Sequence, residues 1–127
     1  MFAALARDAV GDAARLILSK LQQIDAKTCC LTIDELAWVV FKKVDNATAV
    51  KACRAVLALK DLEIVSIEYG DLWIMTDVMT KFQLRPRDAL HLAVMKRLDE
   101  KAIVTEDSHF DAVGVNRMAI QAFAKSF

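Results

Sequence analysis

The chain has no net charge and little of what usually marks a disulfide framework or a nucleotide-binding loop. Its 127 residues contain three cysteines, three glycines and one proline, and seventeen basic side chains balance seventeen acidic ones. The sequence has no glycine-rich phosphate loop and no Ser/His/Asp or Cys/His arrangement typical of nucleophilic catalysis. Because the charges balance, no global positive field attracts nucleic acid, and a nucleic-acid function must rest on local clusters.

The cysteines have a pattern that disfavours disulfides. Cys29, Cys30 and Cys53 form an odd count, and the first two are adjacent. This favours reduced thiols in a cytoplasmic protein. No apolar run reaches the roughly 18 residues that indicate a membrane span, and the first residues lack the basic segment of a signal peptide. We therefore expect a cytoplasmic protein that does not associate with a membrane.

Apolar residues are more frequent than in most soluble domains. They make up 56% of the sequence, whereas roughly 45–50% is usual. The surplus predicts an apolar interface with another protein molecule. The length predicts that residues 1–127 form a single domain that can bury a core of its own.

Short apolar segments alternate with longer amphipathic ones. Strands are predicted at residues 29–33, 62–67 and 102–105, followed by a short edge strand at residues 116–120. One helix is predicted from Asp8 or Asp12 to about residue 23, and others begin near residues 34, 46, 70 and 86. The alternation indicates an α/β fold whose parallel sheet is covered by helices on both faces. Residues 121–127 receive no assignment.

Asn46 is the predicted N-cap of the third helix, and this helix has an apolar face. We expect this face to point into the core, and it consists of Val50, Cys53, Val56 and Leu57.

Residues 85–115 organise the rest of the chain. Pro86 suits the first turn of a helix, and Asp88 lies in the same turn, near the positive end of the helix dipole. The apolar run at residues 102–105 predicts a strand buried on both faces. That run ends in Glu106 and Asp107, at the carboxyl end of a strand, where sites form in open α/β sheets. Asp107 is therefore a candidate site residue, and Asp88 could face it.

This stretch resembles the C-terminal half of a PIN domain, the fold of the VapC ribonuclease toxins. The resemblance is carried by the run DALHLA at residues 88–93, the run IVTED at residues 103–107, Phe110, and the pair Gly114-Val115. It implies a three-layer α/β/α fold with a parallel sheet of four or five short strands. It also implies a metal-dependent ribonuclease that cleaves RNA phosphodiester bonds, as the toxin of a VapBC-type toxin–antitoxin pair.

The resemblance further implies an acidic metal site. Glu35, Asp88 and Asp107 would hold Mg²⁺ or Mn²⁺, directly or through water, with Asp111 as a weaker fourth ligand. Clustered carboxylates repel one another unless a cation joins them, and hard divalent ions prefer oxygen ligands. Bound metal would activate water and stabilise the phosphodiester transition state.

Each of these acids also has a purely structural interpretation. Thr32 and Glu35 fit a capping box, in which Thr32 is the N-cap of the following helix. Asp88 could simply complement the helix dipole, and Asp107 could cap the short turn that contains Phe110. The convergence of the three acids at one edge favours the site over three scattered caps.

Several other polar residues lie near this predicted edge. Arg85 and Arg87 are candidates for contacting substrate phosphates, ahead of the lysines and arginines of the earlier helices. His91 could touch the site, although a packed histidine is the more frequent case, and His109 is expected to be solvated. Trp38 and Trp73 are expected in the core or at an interface, and neither is expected to stack on nucleic-acid bases.

The chain departs from the family at its beginning. PIN domains begin with a buried mid-sheet strand that ends in a metal-binding aspartate, whereas residues 1–6 resemble the segment that follows that strand. Either the strand lies upstream of this start or the sheet lacks it. This departure favours a second hypothesis, in which the chain is an inactive PIN-like module that only binds protein or RNA. By resemblance we also expect a homodimer and an antitoxin partner, with Trp38 and Phe41 as uncovered apolar contacts.

Overall fold

The computed structural model describes residues 1–127. Backbone contacts divide the chain into two compact units, residues 1–66 with 124–127 and residues 67–123. Each unit contains helices and one pair of short parallel strands. The predicted mixed α/β class is therefore confirmed. No helix in the chain is both long and apolar enough to cross a membrane.

The first unit contains three α-helices and two strands. After a short 3-10 helix at Phe2–Leu5, its elements are α1 (Ala9–Ser19), β1 (Ala26–Cys29), α2 (Leu31–Lys43), α3 (Asn46–Leu57) and β2 (Leu62–Val65). A further 3-10 helix, Leu21–Gln23, follows α1. Of the two predicted caps for α1, Asp8 is the N-cap, and its Oδ1 accepts a 2.7 Å hydrogen bond from the Gly11 N–H.

The predicted strand at residues 29–33 is placed too late in the sequence. The strand is β1, Ala26–Cys29, and it pairs in parallel with β2 from Ala26 opposite Leu62 to Cys29 opposite Val65. Helix α2 then begins at Leu31 with Cys30 as its N-cap. The β-branched residues that favoured a strand lie in the first helical turn instead. There Thr32 Oγ1 is 2.9 Å from Thr28 Oγ1, so local hydrogen bonding overrides propensity.

Helices α2 and α3 pack on each other and provide the core of this unit. The buried residues of the α2–α3 core are Leu36, Val40, Ala49 and Val56. The cap of α3 is Asp45, one residue before the predicted Asn46, and its Oδ1 accepts a 2.7 Å bond from the Thr48 N–H. Val56 faces inward as predicted and Cys53 is half-buried. The prediction is wrong for Val50 and Leu57, which are 40% and 56% exposed.

The second unit contains a helical hairpin and two shorter strands. Its elements are α4 (Tyr69–Phe82), α5 (Pro86–Arg97), β3 (Ala102–Val104), β4 (Asn116–Met118) and α6 (Ile120–Ala124), whose last residue belongs to the first unit. Strand β3 pairs in parallel with β4, which is the predicted edge strand. Between them lies a 3-10 helix, Ser108–Ala112.

The predicted single sheet of four or five strands is wrong. Strand β1 pairs with β2 and β3 pairs with β4, and these are two separate two-stranded sheets. The chain has four strands of three or four residues, and the segments that precede β1 are helical. No segment of extended backbone is therefore left to pair with both β1 and β3 and join them.

Burial in the second unit centres on α5 rather than on the strand. As its nearly uniform apolar sequence predicts, α5 buries Ala89, Leu92, Ala93 and Val94. The core cluster consists of Ala89 and Leu92 of α5 with Val78, Leu84, Phe110 and Val113. Strand β3 was predicted to be buried on both faces, and this is wrong. Ala102 is exposed and the other two residues are half-buried, because β3 lies in a sheet of only two strands.

Candidate metal centre

Asp88 is positioned by the start of α5. Arg85 is the N-cap residue, with extended backbone, and Pro86 occupies the first helical turn, where its missing N–H costs no hydrogen bond. Asp88 lies in the same turn and is half-buried. The helix dipole stabilises a carboxylate at this end of the helix. The sequence therefore places Asp88 where the helix dipole favours a negative side chain.

Asp107 is positioned by the turn that follows β3. Its backbone N–H donates to Thr105 Oγ1 over 3.1 Å. Its Oδ1 accepts a 2.9 Å hydrogen bond from the backbone N–H of His109, so Asp107 caps the short 3-10 helix as predicted. The side chain is 33% exposed, which leaves part of the carboxylate accessible.

His109 completes a three-residue cluster with the two aspartates. Its ring Nδ1 lies 2.6 Å from Asp107 Oδ1. Asp88, Asp107 and His109 each offer one ligand atom, and these atoms all lie within 4.8 Å of one another. The carboxyl groups of Asp88 and Asp107 thus converge in the second unit. This three-residue group is called the DDH cluster below.

The surroundings of Asp107 favour its ionised form. Burial alone would raise the pKa of this carboxyl, but the hydrogen bonds from the backbone and ring of His109 and the charges of His109 and Arg85 together outweigh burial. The net effect lowers the pKa of Asp107 below its ordinary value. An ionised carboxylate is the form that binds a metal ion.

Asp111 and Glu106 have other partners and do not belong to the DDH cluster. Asp111 Oδ1 accepts a 2.5 Å bond from Arg117 Nε, and Arg117 Nη1 also donates to the Thr105 carbonyl over 3.2 Å. Glu106 Oε1 accepts a 2.7 Å bond from the Ile120 N–H. The candidate metal ligands of this region are therefore Asp88, Asp107 and His109.

Comparison with known families identifies the chain. The sequence model of the PIN domain matches residues 1–116. The chain belongs to the PIN domain family. PIN domains are nucleases that use divalent metal ions, so the chemistry of the family fits the carboxylates of the DDH cluster. No curated protein and no solved structure matched the chain.

Glu35 belongs to the first unit of this PIN domain. It lies in the second turn of α2, which begins at Leu31, and it is half-buried. The predicted capping box is wrong, because the N-cap is Cys30 and Thr32 is already inside the helix. For the same reason Glu35 does not lie at the end of a strand. Its charge acts on the α-ammonium of Met1, whose pKa is lowered because burial outweighs the opposing effect of Glu35.

The remaining predicted site residues have different positions. Arg85 and Arg87 are exposed at the start of α5, and the charge of Arg85 reaches Asp107. His91 is half-buried on α5 and lies outside the DDH cluster. His109 is 56% exposed, as expected for a solvated side chain, and it also belongs to the cluster. The spacing Asp107-x-His109 directly after a strand was the sequence signal for this pair, but only the turn geometry brings both side chains to Asp88.

The residues of the DDH cluster suit a divalent cation. Carboxylate oxygens are the preferred ligands of Mg²⁺ and Mn²⁺, and imidazole is a common ligand for transition ions. Asp88 comes from a helix start and Asp107 and His109 from a capped turn, so the side chains that would bind the ion are held by defined backbone. This arrangement could bind one hydrated metal ion and leave coordination positions for water and substrate.

Proposed function

We propose that this PIN domain is a metal-dependent ribonuclease that cleaves RNA phosphodiester bonds, as the toxin of a VapBC-type pair. The observation that carries the proposal is the convergence of Asp88 and Asp107 in the DDH cluster. Membership of a nuclease family that uses divalent metals supports it independently. Two separate elements, the start of α5 and the turn after β3, contribute ligand-type oxygens to the same place.

Asp88 and Asp107 are the proposed principal ligands, and Glu35 is the proposed third carboxylate, directly or through water. When bound, a divalent ion would supply a Lewis acid and a source of hydroxide at neutral pH. The carboxyl group of Asp107 would be ionised before the metal binds, because its pKa is lowered. The proposed task of the protein is therefore to hold these carboxylates where they can bind one ion.

Arg85 and Arg87 are the proposed contacts for substrate phosphates. Both side chains are exposed at the start of the helix that carries Asp88, and the charge of Arg85 acts on Asp107. Arginine binds phosphate through paired hydrogen bonds. An RNA strand whose phosphates contact these arginines would lie close to the proposed metal.

The test measures RNA cleavage and metal binding in the same preparations. The wild-type chain and Asp88→Asn are mixed with single-stranded RNA and either Mn²⁺ or Mg²⁺, and Mn²⁺ affinity is measured by calorimetry. Asp88→Asn removes a charge without changing size, so it should lose both cleavage and tight Mn²⁺ binding. Asp111→Asn is the matched control, because Asp111 pairs with Arg117 outside the cluster.

Equal Mn²⁺ affinity in the wild type and in Asp88→Asn would exclude a shared metal site. Mn²⁺ binding without RNA cleavage would retain the site and reject the ribonuclease activity. Glu35→Gln is measured in parallel. A loss of Mn²⁺ affinity in that variant supports a third carboxylate ligand, and unchanged affinity restricts the site to the second unit.

A second candidate function, a catalytically inactive PIN-like module that binds protein or RNA, is favoured by a specific surface. An open apolar groove lies between α2 and α3, with Trp38 and Phe41 along one side and Val50 and Leu57 along the other. Each of these four side chains is 40% exposed or more. Contiguous exposed apolar residues usually mark an interaction site. This surface is called the α2–α3 groove.

We propose that a second copy of the chain occupies the α2–α3 groove. The Trp38 and Phe41 rings stack with centroids 6.1 Å apart and stand beside the concavity, so a two-fold contact could place each ring pair in the opposite groove. The groove is lined by one acidic and one basic side chain, Asp34 and Arg54. In a two-fold contact these charges can pair across the interface. An antitoxin helix is the alternative occupant.

A further inference from the structure

The position of His109 bears on which metal ion the proposed centre selects. We propose that His109 is a direct nitrogen ligand of the metal and that it makes the site selective for a divalent transition ion over Mg²⁺. This inference rests on the proposed metal centre and adds the identity of the ion that it binds. The argument depends on three features: the position of the ring, the set of donor atoms, and the partners of the neighbouring acids.

The ring is already positioned at the ligand oxygens. His109 Nδ1 lies 2.6 Å from Asp107 Oδ1, and the DDH cluster has its three ligand atoms within 4.8 Å of one another. Neighbouring ligand atoms of an octahedral ion with bonds of about 2.1 Å are about 3 Å apart. A change of about an ångström or less at the Asp107–His109 contact would therefore accommodate an ion between the two side chains. The ion would replace the proton held between Nδ1 and Asp107 Oδ1, and that proton would be released to solvent.

The turn fixes this position through the backbone. Asp107 Oδ1 accepts from the His109 N–H at 2.9 Å, and Thr105 Oγ1 accepts from the Asp107 N–H at 3.1 Å. These bonds hold the backbone of Asp107 and His109 in place whether or not the His109 ring binds a metal ion. The His109 side chain is 56% exposed, so the ring can adjust without disturbing a packed core.

The donor set determines the ion. Mg²⁺ demands a near-ideal octahedron of oxygens, whereas imidazole suits transition ions such as Mn²⁺, Fe²⁺, Co²⁺ and Zn²⁺. Of the other acids in this turn, Asp111 is bound by Arg117 and Glu106 accepts from the Ile120 N–H. The donor at this side of the cluster is therefore a nitrogen, supplied by His109.

The experiment uses Mn²⁺ as the probe, because its unpaired electrons report directly bound nitrogen through electron spin echo modulation. The purified full-length chain is compared with His109→Gln and with His91→Gln. The chain has two histidines, so His91→Gln is the matched control. We expect nitrogen modulation in the wild type and in His91→Gln, and none in His109→Gln.

Affinity gives the second measurement. The ratio of Mg²⁺ to Mn²⁺ dissociation constants should fall at least about tenfold in His109→Gln, through weaker Mn²⁺ binding with unchanged Mg²⁺ binding. Circular dichroism checks that each variant remains folded. Mn²⁺ binding that depends on Asp88 but shows no nitrogen modulation in the wild type would overturn the role of His109 and leave the metal centre standing. Absence of any Mn²⁺ binding in the wild type would overturn both.

Discussion

Arg97 Nε lies 2.9 Å from Oδ1 and 3.1 Å from Oδ2 of Asp71, which is fully buried. This pair connects the last turn of α5 to the first turn of α4. Asp71 Oδ2 also accepts a 2.9 Å bond from the Glu68 N–H as part of a capping box. One buried carboxylate therefore both caps α4 and ties it to the helix that carries Asp88.

The first prediction concerns the stability of this helical hairpin. Asp71→Asn keeps the size of the side chain and removes its charge, so Arg97 loses its buried anionic partner and keeps the 3.4 Å contact of its Nη1 with the exposed Glu68. Breaking a buried ion pair on one side typically destabilises a protein by about 3–5 kcal/mol. Because Arg97 is 25% exposed and keeps Glu68 as a partner, we expect a loss at the lower end of this range, about 3 kcal/mol, in the free energy of unfolding, measured by urea denaturation.

The matched control is Asp99→Asn. Asp99 pairs with Lys101 at 2.6 Å, but the two side chains are 83% and 79% exposed. Exposed pairs of this kind contribute little to stability, so we expect only a small loss from Asp99→Asn. Similar losses in Asp71→Asn and Asp99→Asn would show that burial of the Asp71–Arg97 pair has no special effect on stability.

The second prediction concerns pH. Burial alone would raise the pKa of Asp71, but hydrogen bonds from Arg97 and from the Glu68 backbone, with the charge of Arg97, lower it below its ordinary value. A lowered folded-state pKa contributes stability above the unfolded value of about 3.9, and this contribution is lost as the pH falls through the folded-state pKa. The difference in unfolding free energy between wild type and Asp71→Asn should therefore be large at neutral pH and shrink in acid. Urea denaturation at several pH values measures it, and a constant difference would contradict the assignment.

The sequence predicts α5 well because every local signal agrees there. Pro86 is a favourable first-turn residue, and the positions that follow are almost all apolar, as a buried helix requires. The start of α2 is different. Thr28, Cys29 and Cys30 lie next to further β-branched residues, so propensity alone extends the strand too far. The turn depends on contacts such as the Leu31 N–H with Cys29 Sγ at 3.4 Å, which propensity does not encode.

Sheet formation and the composition of the DDH cluster could not be read from local pattern. Strand pairing depends on which strand edges meet in space. A strand forms at or near each of the four predicted segments, but the strands pair into two sheets rather than one. Asp88 and Asp107 were predictable because strand ends and helix starts carry recognisable residues. His109 was not, because its place beside Asp88 depends on the turn that Asp107 caps.

The third prediction concerns Gly11 in α1, whose backbone lies close to the backbone of Ala6. A Cβ atom at Gly11 would lie 2.0 Å from the Ala6 carbonyl oxygen, which is backbone and cannot move aside easily. Overpacking of this kind typically costs about 1–3 kcal/mol. Gly11→Ala should therefore lower the free energy of unfolding by about that amount, measured by urea denaturation.

Gly70→Ala is the control for Gly11→Ala. A Cβ at Gly70, in the first turn of α4, meets nothing within 4 Å. Alanine is favoured over glycine in helices by roughly 0.5–1 kcal/mol, so this variant should be neutral or slightly more stable. Equal destabilisation by the two variants would show that the contact with Ala6 does not control the effect.

The last prediction concerns the α2–α3 groove and the proposed second copy. Phe41 is 50% exposed on the groove wall, and its replacement by serine removes apolar contact area without opening a cavity in the core. We expect the wild type to sediment as a dimer at micromolar concentration and Phe41→Ser to sediment as a folded monomer with unchanged far-ultraviolet circular dichroism. A stable obligate interface buries upwards of roughly 2,000 Å² in total, so loss of one central aromatic should weaken it strongly.

Val44→Ser provides the matched control for Phe41→Ser. Val44 is 63% exposed at the end of α2 and does not line the groove, so its replacement should leave the dimer intact. Dissociation by both substitutions would point to a general loss of apolar surface rather than to the groove. A wild type that stays monomeric at these concentrations would remove the second copy as the occupant and leave the groove to a partner helix, whereas a dimer that survives Phe41→Ser would place the interface on another surface.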